Sequence, residues 1–187
     1  MKLILQGEAM NLKPSKYMVF DVESIGLHGE AFAVAWCIVK DGKIESERCL
    51  SCDRDSCYGS DIDRDWVDEY VPMIKITHEH RKDMLNEFWQ EWVKQSSEGA
   101  ALVADCCWPV ETNFLSDCVR RHLSERKWQG PYPLLDLTSL VFAHNLNWIA
   151  TGFKYPDDLH EHHPLRDARV SAATLIELLE RHPFIGT

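Results

Sequence analysis

Along residues 17–23 the apolar run Tyr-Met-Val-Phe leads into Asp21, Val22 and Glu23, and Ser24, Ile25, Gly26 and Leu27 follow at once. Read as a strand, this stretch puts residues two apart on the same face, so Asp21 and Glu23 lie side by side at the strand's end. Residues 31–39 are almost wholly apolar and predict a second strand, and 44–50 a third. Between them Lys40-Asp41-Gly42-Lys43 reads as a tight hairpin turn, because Asp-Gly supplies the positive φ that such turns require. Residues 52–69 are polar and acidic and read as a loop, with a short helix near 65–70.

Helical spacing takes over downstream. Met84, Leu85, Phe88 and Trp92 recur three and four apart, which predicts a helix over 77–95 with Thr77 as its cap and Gly99 closing it. Residues 100–104 form a short apolar strand of the buried, parallel type. Pro109 then opens a helix whose stripe is Val110, Phe114, Leu115, Cys118 and Leu123. A strand over 132–137 carries Asp136 at its end, and a helix over 137–143 follows. Residues 145–161 show no period. The last helix, 166–181, presents Ala168, Ala172, Leu175, Ile176 and Leu179 on one face. A meander followed by α/β crossovers implies a mixed central sheet with helices on both faces.

Composition bounds the picture. A chain of 187 residues predicts one domain, here 17–187, with 1–16 as a lead-in. The 45% hydrophobic and 27% charged residues are ordinary for a globular protein. No apolar stretch is long enough to span a membrane, and the start turns polar too soon for a secretory signal. The seven cysteines, an odd number, read as reduced thiols in a cytoplasmic protein. Cys49, Cys52 and Cys57 have zinc-like spacing without an evident fourth ligand, and Cys106 and Cys107 read as filling space behind a strand. A net charge of −10 argues against a broad basic surface that grips nucleic acid non-specifically. It leaves room for an acidic site neutralised by metal.

The candidate chemistry sits at strand ends and helix starts, where sites gather in open α/β sheets. Two adjacent carboxylates repel unless a cation lies between them, so Asp21 and Glu23 ask for a hard divalent ion with oxygen ligands, magnesium or manganese. A solvated polar face running into a turn would have the same sequence. Asp105 ends the 100–104 strand, Glu111 sits in the first turn of the next helix, and Asp167 opens the last helix with His162 ahead of it. His160, His162 and His163 also fit a surface histidine patch, and Asp136 a structural cap.

Phe20-Asp21-Val22-Glu23-Ser24-Ile25-Gly26-Leu27 resembles the D-x-E-x-x-G-L motif of the DEDDh 3′-5′ exonucleases, the family of the proofreading exonuclease subunit, oligoribonuclease and RNase T. His162-His163-Pro164-Leu165-Arg166-Asp167-Ala168 resembles that family's H-x4-D-A motif, and Leu135-Asp136-Leu137 its strand-ending aspartate. The resemblance spans about residues 17–179. The middle motif departs from the pattern: Glu111 falls in the aspartate slot, and Asp105 where the family's histidine usually stands.

The resemblance implies an RNase H-like α/β fold. It also implies hydrolysis of the 3′-terminal phosphodiester of DNA or RNA, with release of nucleoside monophosphates. Two magnesium or manganese ions would be held by Asp21, Glu23, Asp167 and either Glu111 or Asp105. His162 would be the general base, and Ser24, Ile25, Gly26 and Leu27 would bind the terminal nucleotide. Nucleic acid with a free 3′ end and a homodimer are the partners expected, with no membrane. The competing reading is a catalytically inactive nuclease-like module that binds nucleic acid or protein.

Overall fold

The computed structural model describes residues 14, 16–144 and 159–181. Its sheet has the order β3-β2-β1-β4-β5. The strands are β1 (Lys16–Ser24), β2 (Ala31–Lys40), β3 (Lys43–Ser51), β4 (Ala100–Ala104) and β5 (Leu134–Asp136). The pairs β1–β2 and β2–β3 are antiparallel, and β1–β4 and β4–β5 parallel. The mixed α/β sheet expected from the meander and the crossovers is thus the one that forms. The hairpin between β2 and β3 turns through Asp41 at φ 49° and Gly42 at φ 73°. Two successive positive φ values match the right-handed twist of the flanking strands.

The helices are α1 (Asp61–Tyr70), α2 (Arg81–Ser97), α3 (Val110–Arg121), α4 (Leu123–Arg126), α5 (Leu137–Ala143) and α6 (Pro164–Arg181). Strand alternation divides the core. Met18, Phe20 and Val22 of β1 face one side, with Phe88, Trp89 and Trp92 of α2 and Phe114 of α3. Tyr17 and Val19 face the other, with Ala168, Ala172 and Leu175 of α6 and Val141 of α5. The β2 strand is buried on both faces, which is why its sequence is continuously apolar. None of the described helices is long and apolar enough to cross a membrane.

Several elements differ from the sequence reading for identifiable reasons. The α2 helix begins at Arg81, not Thr77. The Thr77 hydroxyl accepts from the Ser51 amide at 2.9 Å and donates to the Ser51 carbonyl at 3.1 Å, so it extends the end of β3 instead of capping a helix. Arg81 anchors the true start, with its Nε donating to the Ala31 carbonyl and a guanidinium nitrogen 3.0 Å from Glu30. The short α4 was not foreseen. It brings in the buried Arg126, which donates to the Cys118 carbonyl and the Asn86 side chain.

The zinc-like cysteines do not converge. Cys49 packs with the α6-side core, and Cys52 and Cys57 with the opposite one. Cys106 is exposed instead of space-filling.

Candidate active site

The strand period carries Asp21 and Glu23 onto the α6 side of the sheet, continuing Tyr17 and Val19. They pair across to Ala35 and Ala33 of β2, whose small side chains leave space above them. Parallel register does the next step. Phe20 pairs with Ala104, so the residues that follow, Asp21 and Asp105, emerge together at the same edge of the sheet. Glu111 enters from the first turn of α3 and is buried. Asp167 enters from the first turn of α6. His162 precedes α6 with a left-handed backbone, φ 60°. Ligand atoms of Glu23, His162 and Asp167 all lie within 4.8 Å of one another, the one such metal-competent group among the described residues.

The neighbouring histidines are otherwise engaged. The Nδ1 of His163 accepts the Leu165 amide at the start of α6, and Nδ1 of His160 lies 2.7 Å from the Glu161 carbonyl. Asp136 is a structural cap. One of its oxygens accepts the Cys107 amide at 2.8 Å and the other the Ser139 amide at 2.7 Å. Burial pushes its pKa up, but those hydrogen bonds outweigh it and hold the carboxyl below its ordinary value.

The other carboxyls go the opposite way. Burial raises Asp21 well above the usual carboxylate range, and the charges of Glu23, Glu111, Asp167 and Asp105 add to it in that order. Glu23 is pushed up to about 8, by burial first and then by Asp167 and Glu111. Glu111 rises to about 7, by burial, against the backbone hydrogen bonding at its helix start, with Asp105 and Asp136 contributing. Asp105 and Asp167 are raised too, chiefly by burial. A Thr138 hydrogen bond opposes the first, and Arg166 and His162 the second.

Asp105 and Glu111 differ in reach. Glu111 acts on both Asp21 and Glu23, whereas Asp105 acts on Asp21 and Glu111 and is tethered to Thr138 Oγ1 at 3.2 Å. Glu111 is thus within electrostatic reach of both β1 carboxyls.

Bunched, buried acids with raised pKa values are a donor set that a hard divalent cation fits, because the cation supplies the charge that the protein withholds. A stability prediction follows from the sign. The folded pKa values of Glu23 and Glu111 lie above their ordinary 4.5, so in metal-free buffer the stability they contribute is fully present below about pH 4.5. It is lost as pH rises through about 7 to 8, the folded values of Glu111 and Glu23. The melting temperature should fall by several degrees from pH 5 to pH 8, at about 2–4 °C per kcal/mol. Millimolar magnesium or manganese should restore it at pH 8. A scanning-calorimetry series that is flat with pH and unmoved by metal would contradict this.

Of the loop residues, Ser24 donates to the Gly26 carbonyl at 2.6 Å, and Gly26 takes φ 67°. Ile25 is buried and its amide donates to the Glu30 carbonyl at 3.0 Å, so it holds the loop in place, and Leu27 is 62% exposed. Val22, Glu23, Ser24, Gly26 and Leu27 line a cavity of about 260 Å³ with Val110 and with Asp63 and Trp66 of α1. Asp63 and Trp66 were missed from sequence. The one available signal was Ser60 three residues before Asp63, a helix-capping pattern inside the acidic stretch.

No protein-family model matches the chain. No curated protein matches it by sequence. Solved structures do match. An exonuclease I from Methylocaldum szegediense superposes with a TM-score of 0.61 at 17% identity, covering 90% of this chain and 41% of that one. A 3′-exonuclease described for 3′-end recognition of the histone mRNA stem-loop gives 0.60 at 14% identity, with 90% and 64% covered. The zinc-bound E. coli exonuclease I in complex with single-stranded DNA gives 0.55 at 11% identity, with 92% and 42% covered. The chain thus spans less than two thirds of the length of each. At these identities the likeness is one of fold: the chain shares the mixed α/β, RNase H-like fold of these structures.

Proposed function

We propose that the protein is a metal-dependent 3′-5′ exonuclease of the DEDDh type. The observation that carries this reading is the convergence of Asp21, Glu23, Glu111 and Asp167 from three elements, with His162 in ligand range of Glu23 and Asp167. Those four carboxylates would hold two magnesium or manganese ions. Bound there, the ions would supply Lewis-acid stabilisation of the negative charge that develops on the scissile phosphate and the leaving 3′-oxygen. His162 takes the proton from the attacking water, a role suited to imidazole because its ordinary pKa lies near neutrality. Asp167 and Glu23 orient that ring. Leu27 and the backbone of Ser24, Ile25 and Gly26 receive the terminal nucleotide, with the cavity beneath as its seat.

The substrate is nucleic acid with a free 3′ end, and mononucleotides are the product. An inactive binding module has one observation in its favour: Arg166 lies 3.2 Å from Asp167 and already offsets part of its charge. Degradation of 3′-labelled single-stranded DNA and RNA with magnesium or manganese separates the two. The expected result is stepwise shortening from the 3′ end that ceases with EDTA. Intact substrate under every metal condition overturns the enzyme reading.

The same assay ranks the middle carboxyls. Glu111→Gln should cost about 10²-fold or more in kcat, on the scale of losing one charge-stabilising group. Asp105→Asn should cost less than about 10-fold. The reverse order would transfer the role to Asp105.

A further inference from the structure

The α1 helix has little reason to exist on packing grounds alone. Val67 is its one buried residue, while Ile62, Trp66 and Tyr70 are exposed. It is nevertheless firmly held. Ser60 caps it by accepting the Asp63 amide. The Asp63 side chain lies directly against Gly26, where any added Cβ would collide with it, and Gly59 sits as tightly on Ile25. The Arg64 guanidinium donates to the Cys57 carbonyl, and Arg54 bridges to Asp68 at 2.8 Å. The helix is therefore registered against the loop that follows Glu23.

What it presents from that position is Trp66. The indole stands edge-to-face with the His162 ring, centroids 5.2 Å apart at 71°, and leans on Tyr70 at 5.3 Å. Among the described residues, Glu23 and Asp167 lie in ligand range of the same ring, which is carried on a left-handed backbone ahead of α6. Two carboxyls on one side leave the ring free to rotate about its side-chain torsions, and an aromatic neighbour removes part of that freedom.

Resting on the exonuclease reading, we infer that Trp66 is a positioning residue: α1 braces its indole against His162 and holds the imidazole over Glu23 and Asp167. The helix thereby couples the first carboxylate-bearing loop to the histidine-bearing loop.

The test is a double-mutant cycle on the full chain, with kcat and KM measured on a 3′-labelled single-stranded oligonucleotide and histidine ring protons followed by NMR. Trp66→Leu should lower kcat by about 10-fold, the scale of one aromatic contact, over and above any rise in KM from its place in the cavity lining. Trp66→Phe should recover most of the loss. In a His162→Asn background, Trp66→Leu should cost nothing further, because coupled residues are non-additive. The His162 ring protons should shift in Trp66→Leu as the indole ring current is lost.

A kcat penalty that persists without His162, or a penalty confined to KM, overturns the inference and leaves Trp66 as a nucleotide contact alone. Unmoved His162 resonances also overturn it. A wild-type protein that degrades no substrate defeats the exonuclease reading instead, and the resonances still decide whether Trp66 holds the imidazole.

Discussion

Asp21→Asn should reduce metal-dependent release of mononucleotides by at least about 10³-fold, beyond the loss seen when one charge-stabilising donor is removed from an active site. Asp21 is the hub of the carboxyl cluster, because its charge feels Glu23, Glu111, Asp167 and Asp105 together. A neutral amide at that point removes the ligand that would be shared between two ions. The same change should make the metal-free protein more stable. It replaces the most strongly opposed of the buried charges with a group of equal size, and the remaining acids then repel less. Activity and stability thus move in opposite directions, as expected where function is built on unfavourable contacts.

Calorimetry without metal, beside the nuclease assay, checks both halves. A lower melting temperature together with lower activity would mean that Asp21 only supports the fold. Full activity in Asp21→Asn, or in Asp167→Ala, would sink the mechanism outright.

The placement of the candidate residues was legible in part through periodicity and in part through the motif resemblance. The period of two in β1 placed Asp21 and Glu23 on one face without any knowledge of what lay above them. His162 was singled out beside Asp167 by the resemblance to the H-x4-D-A motif, since His160 and His163 offer the same side chain close by. The choice between Asp105 and Glu111 could not be read, since both are acids a few residues apart beyond β4. In the fold the Thr138 hydroxyl donates to Asp105 at the strand end, while Glu111 is buried in the first turn of α3, and the paired Asn and Gln variants decide between them.

The α1 helix was hardest to see. Ile62, Trp66 and Tyr70 recur at helical spacing, but they stay exposed and Val67 alone is buried, so the order of the helix comes from Asp63 against Gly26 and Arg64 on the Cys57 carbonyl. Thr77 shows the converse error. A residue with strong capping propensity was claimed by the backbone of Ser51, a tertiary competitor invisible to local pattern. Residues 145–158, with the aromatics Trp148, Phe153 and Tyr155, lie outside the described residues.

His162→Asn should lower kcat by about 10² to 10⁴-fold while substrate binding is retained, the range expected for loss of a general base. Asparagine is the informative replacement. His162 sits at φ 60°, where a β-carbon is strained and asparagine is tolerated far better than alanine. An alanine variant would add backbone strain to the chemical loss and blur the result.

The control is His163→Ala, which deletes the ring that accepts the Leu165 amide at the start of α6. That change should cost about 1 kcal/mol of stability, as the loss of a helix-start hydrogen bond does, with turnover within about 10-fold of wild type. The two variants therefore separate by measurement. One loses rate at unchanged melting temperature, and the other loses melting temperature at nearly unchanged rate. If His163→Ala instead carries the rate loss, the base is the wrong histidine. The ligand-range group of Glu23, His162 and Asp167 would then describe only metal binding. Magnesium titration of His162→Asn resolves that case, since a metal ligand lost would weaken the apparent affinity, whereas a base lost would leave it in place.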